Sequence, residues 1–137
     1  MSFDLAVWYP DKRLSAEEAN GRYARLCEGN VEDLAEDAAV HAFYTELVAK
    51  HPEIDDIPED RIDDHEYCPW SVAMDRSPGH VILCCVWSRA GYVRRYVGQL
   101  AAKHGLVLYD PQEGTAIYPG GSDPSGGTRG KFWWKFW

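Results

Sequence analysis

The sequence predicts an α+β fold, a two-layer sandwich of the ferredoxin-like, split βαβ kind, with an antiparallel or mixed sheet and helices on one face. Three observations lead there. Strand-length apolar runs at 3–8 (FDLAVW), 80–87 (HVILCCVW) and 106–109 (LVLY) alternate with stretches of helical period. The order is strand, two helices, hairpin, helix, strand. Each helix carries one apolar stripe that needs a sheet face to cover.

The elements follow in order. Residues 3–9 form a first strand that stops at Pro10 and Asp11. Ser15 followed by Glu18 spells a capping box, and Ala19, Tyr23, Leu26 and Cys27 recur at helical spacing until Gly29. A second helix is read from Val40, Phe43, Tyr44, Leu47 and Val48, with Lys50 and His51 in its last turn and Pro52 as its stop. His51, and His104 further on, suit helix C-termini as favourable charges. Two strands, 71–75 and 80–87, flank a turn at Arg76-Ser77-Pro78-Gly79. Ser88 is placed to cap a third helix striped by Val93, Tyr96, Val97, Leu100 and Ala101 and closed by Gly105. Strands at 106–109 and 115–118 complete a domain spanning residues 1–118. A linker rich in Gly, Ser and Pro (119–130) and an aromatic, basic tail, KFWWKFW (131–137), follow it.

Length and charge bound the function. A chain of 137 residues suits one core. Fourteen basic side chains face 22 acidic ones, a formal charge of −8. From Glu53 to Glu66, eight carboxylates stand against one cation, Arg61, which places −7 of that charge in a single segment. Such a balance argues against nucleic acid as a partner, because that contact requires a basic surface to displace counterions. No apolar run approaches the roughly 20 residues of a membrane span. The acidic start MSFDLAVWYP lacks the pattern of a signal peptide, so a cytoplasmic location with reduced thiols at Cys27, Cys68, Cys84 and Cys85 is expected.

The acidic stretch IDDIPEDRIDDHEYCPW (54–70) admits three chemistries: a metal site, a proton transfer, or a basic partner. His65 and Cys68 have ligand spacing, but a structural zinc site needs a second spaced pair, and Cys84 and Cys85 are adjacent on a strand. No glycine lies between Asp55 and Glu66 to make the sharp turn of an EF-hand. Carboxylates crowded on an exposed loop stay ionised rather than splitting into acid and base. GGTRGK fails as a phosphate loop, because Ser125 and Phe132 stand where Gly and Ser or Thr are required. The sequence therefore assigns no catalytic residue, metal or cofactor. It assigns Asp55, Asp56, Glu59, Asp60, Asp63, Asp64, Glu66 and Trp70 to a partner-binding surface.

FDLAVW (3–8), CPWS (68–71), VWSRA (86–90) and HGLVLYDPQ (104–112) together resemble a group of small uncharacterised bacterial proteins, found especially among actinobacteria. The resemblance spans most of residues 1–112 and implies no activity. Small acidic α+β chains of this kind are similar to immunity proteins, which cover the active site of a cognate toxin. A non-enzymatic inhibitor that uses an acidic loop against a basic, nuclease-like partner is thus the leading expectation, since clustered carboxylates mimic phosphate and hasten encounter. The alternative is a small-ligand-binding or enzymatic α+β domain whose pocket the sequence does not reveal.

Overall fold

The computed structural model describes residues 2–32 and 34–119. The linker and the KFWWKFW tail, apart from Pro119, lie outside the described residues. In chain order the elements are β1 (Ser2–Trp8), α1 (Ala16–Cys27), α2 (Ala38–Lys50), β2 (Asp75–Ser77), β3 (His80–Val86), α3 (Ala90–Lys103), β4 (Val107–Asp110) and β5 (Thr115–Ile117). The strands form one antiparallel sheet ordered β2-β3-β1-β4-β5. Among the described residues, no helix is long and apolar enough to cross a membrane.

Local signals fix the first helix. The Ser15 side chain accepts from the Glu18 amide at 3.1 Å, and the Glu18 carboxylate accepts from the Ser15 amide at 2.8 Å, so both arms of the capping box are made. Asp37 caps α2 by accepting from the Ala39 amide at 2.9 Å. Gly105, at φ 71°, lets the chain leave α3 in a left-handed turn.

Helices on one face is the expectation the structure corrects. Phe3, Leu5 and Val7 of β1 pack with Val81, Leu83 and Cys85 of β3 beneath α2 and α3. The alternate positions Ala6, Trp8, Ile82, Val107 and Tyr109 are buried on the other face, against Ala19 and Leu26 of α1. Because successive side chains point to opposite faces, an unbroken apolar run is the mark of a strand covered on both sides. β1, β3 and β4 are such strands, and α1 supplies the second cover.

Two other boundaries move. The hairpin is built from β2 at Asp75–Ser77 and a two-residue turn, Pro78-Gly79, in place of the expected strand at 71–75. Trp70 instead forms an isolated bridge with Cys85, and the Ser77 hydroxyl accepts from the Gly79 amide at 3.2 Å, which tightens the turn. Ser88 does not cap α3. The helix is entered through a 3-10 turn at Trp87–Arg89, whose ring, half exposed, meets Phe3 edge-on at 5.4 Å.

Candidate functional site

The acidic segment is a loop closed at its neck. His51, the residue after α2, is buried with both ring nitrogens engaged: Nδ1 donates to the Tyr67 carbonyl at 2.9 Å, and Nε2 accepts from the Tyr92 hydroxyl at 2.8 Å. The Trp70 indole N–H donates to the His51 carbonyl at 2.9 Å. Glu53 makes a second tie, accepting from the Met74 amide at 2.8 Å with one oxygen and from the Tyr44 hydroxyl with the other. Ile54 and Ile57 pack on the core from inside the loop. The chain thus leaves and returns through a fixed pair of strands of contact, as in a compact Ω-loop.

Within the loop the backbone is also organised. Residues Ile54–Asp56 and Glu59–Arg61 form 3-10 turns, and the Cys68 amide bonds back to the Asp64 carbonyl at 2.9 Å. Arg61 is committed internally: it pairs with Asp64 at 3.0 Å and lies 3.7 Å over the Tyr67 ring. The Arg61 hydrogen bond holds the Asp64 carboxyl below its ordinary range.

This construction sorts the residues that the sequence assigns to partner binding. Asp55, Asp56, Glu59, Asp60, Asp63 and Glu66 are exposed, and among the described residues no cation lies within ion-pair distance of any of them. Asp64 is half-buried and serves the loop itself through Arg61 and the Tyr67 amide. Trp70 is 2% exposed, so it anchors the loop from within the core and offers no surface to a partner. Ile62, 46% exposed in the middle of the carboxylates, is an exposed apolar side chain that sequence reasoning did not single out. Its signal was visible as the lone apolar residue in DRIDD.

The remaining chemical candidates are structural. Burial pushes the Cys84 and Cys85 thiols up to about 12, which keeps them protonated and poor nucleophiles. Cys68 is buried behind the loop, and among the described residues no three His, Cys, Asp or Glu side chains converge as metal ligands. Ser77, His80 and Asp75 stand in triad-like proximity that the sequence did not announce. Ser77 Oγ lies 2.6 Å from His80 Nδ1, but Asp75 is 3.8 Å from Nε2, beyond hydrogen-bond reach, and faces solvent. The trio fastens the β2–β3 turn.

His51 departs from its expected role as a charged helix terminus. Burial lowers its pKa, and the carbonyl of Tyr67 on one nitrogen and the hydroxyl of Tyr92 on the other suit a neutral ring. No family model, curated protein or solved structure matches the chain.

Proposed function

We propose that this chain is a non-enzymatic protein-binding domain whose acidic loop covers a basic site on a partner, in the manner of an immunity or antitoxin-type inhibitor set against a nuclease-like toxin. One observation carries the reading: six carboxylates with no counter-ion among the described residues are held on a loop pinned at both ends by His51, Glu53 and Trp70. A surface of fixed negative charge attracts a cationic patch over distance and meets it with little ordering left to do. Ile62 adds an apolar contact at its centre, of the kind that anchors an interface once charge has brought the surfaces together.

The strand order β2-β3-β1-β4 supports a split βαβ core of the ferredoxin-like kind, with β5 added at one edge and α1 on the second face. Free cysteines, one of them exposed at Cys27, fit a reducing cytoplasmic setting.

The test is site-specific photo-crosslinking with a benzophenone side chain at Ile62 and, as control, at Glu17 on the exposed side of α1. The expected result is an adduct with a basic protein from position 62 alone, lost on neutralising the six carboxylates. Adducts that form equally from both positions, or that persist after neutralisation, contradict the proposal.

A further inference from the structure

A second feature lies at the edge of the sheet, apart from the acidic surface. Between α2 and β2 runs a groove of about 470 Å³, walled by Val40, His41 and Tyr44 on the helix side and by Arg76, Pro78 and Val81 on the hairpin side. That volume falls in the range that encloses small ligands. The groove exists because β2 is only three residues long, which leaves the flank of α2 beyond it uncovered.

Its walls are fixed. The Asp37 amide donates to the Pro78 carbonyl at 3.3 Å, joining the start of α2 to the hairpin turn. A Cβ at Gly79 would stand 2.7 Å from the Ala35 carbonyl oxygen, so the link before α2 approaches the turn as closely as only glycine allows. Arg76 and Val81 are cross-strand partners, which places both on the face toward α2. The Arg76 guanidinium lies 4.0 Å from the centre of the Tyr44 ring, and that ring is held in turn through its hydroxyl by Glu53.

Arg76 is the informative residue. Among the described residues it has no carboxylate within ion-pair distance, although 22 acidic residues stand in the chain. A guanidinium placed over a tyrosine ring can still present N–H donors in a planar fork that matches a carboxylate. The rest of the groove supplies apolar contact from Val40, Pro78 and Val81. The surroundings also select the charge. The acidic loop begins at Glu53 under Tyr44, so a ligand with several negative charges is repelled where one charge is satisfied.

We propose that this groove is a binding site for a small monocarboxylate with an apolar or aromatic body, its carboxylate on Arg76 and its body against Val40, Pro78 and Val81. The site does not depend on the acidic loop's having a protein partner.

Titration of the full chain with benzoate and with 3-phenylpropionate, followed by amide ¹H–¹⁵N NMR, tests this. Benzamide serves as the uncharged control. The expected result is saturable shifts clustered at Tyr44, Arg76, Gly79 and Val81, with benzamide at least about tenfold weaker and Arg76→Gln weakening the carboxylates by a similar factor, as loss of a charge-assisted contact requires. Benzamide binding as well as benzoate, shifts scattered over the surface, or undiminished binding by Arg76→Gln overturns the proposal. If Arg76→Gln loses the dispersed spectrum of the folded chain, the benzoate and benzamide comparison on the unaltered protein decides alone.

Discussion

Gln112 completes β1 from beyond the end of β4. Its side-chain oxygen accepts from the Asp4 amide at 2.9 Å, and its side-chain nitrogen donates to the Asp4 carbonyl at 2.7 Å, so one amide group takes the place of a strand residue. Pro111 has no N–H to continue the ladder, and the Asp110 carboxylate steadies the replacement by accepting from Gln112 Nε2 at 2.7 Å. The segment YDPQ thus has separate work for each position: Tyr109 fills the α1 face, Asp110 meets Arg94, Pro111 ends the strand and Gln112 reaches back.

Gln112→Ala is expected to cost about 1–2 kcal/mol, the net worth of two partly exposed hydrogen bonds. Urea unfolding measures the loss. Hydrogen exchange at the Asp4 amide should speed up in the same variant, while exchange at Leu5 to Val7 changes little.

Arg94 and Asp110 form an ion pair 3.2 Å long, with 1% and 2% of their side chains exposed. Burial pulls the Arg94 pKa down to about 10, which still leaves it charged at neutral pH. Asp110→Ala removes the buried hydrogen-bonded partner of that charge and should destabilise the fold by about 3–5 kcal/mol. The double variant Arg94→Met with Asp110→Leu should recover most of the loss, because two apolar side chains leave no charge to desolvate. A double variant no more stable than Asp110→Ala would show that packing around the pair, and not its charge, sets the cost.

What was legible in the sequence was local. Ser15 and Glu18 act within one helical turn, and the runs LAVW and VILCCV state their own burial. The second covered face was present in those same runs, since Ala6, Trp8 and Ile82 are apolar between the residues that face α2 and α3, but a helix stripe does not say which face it will meet. The loop's exposure followed from its charge. Its fastening did not, because the ties join His51 to Tyr67 and Tyr92, and Glu53 to Met74, across 16 to 41 residues of chain. Trp70 illustrates the difference: grouped with the loop's carboxylates on the sequence alone, it is turned inward by the bridge to Cys85.

Acid should weaken the fold before most carboxylates titrate. His51 and His80 both have pKa values lowered from 6.5 by burial, so the unfolded chain takes up their protons at a pH where the folded chain does not. Stability from this source is complete above 6.5 and is lost as pH falls below it toward the folded-state values. Unfolding free energy measured from about pH 7.5 to about pH 5 should therefore decline. His51→Gln should be less stable than the parent near neutrality and lose less over the same interval. A flat profile, or an identical slope in the variant, contradicts the role given to His51.

The most direct measurement of the central claim is the association rate with the partner captured at Ile62, compared at low and high salt for the parent and for a variant with Asp55, Asp56, Asp60 and Asp63 changed to Asn and Glu59 and Glu66 to Gln. These six side chains are exposed, so the variant should fold as the parent does. Electrostatic steering predicts that the variant associates about 10- to 1000-fold more slowly at low salt and that the two rates converge as salt screens the loop. The dissociation rates should differ much less. Equal association rates at low salt would contradict the account and leave the acidic loop as a well-anchored connection between α2 and β2.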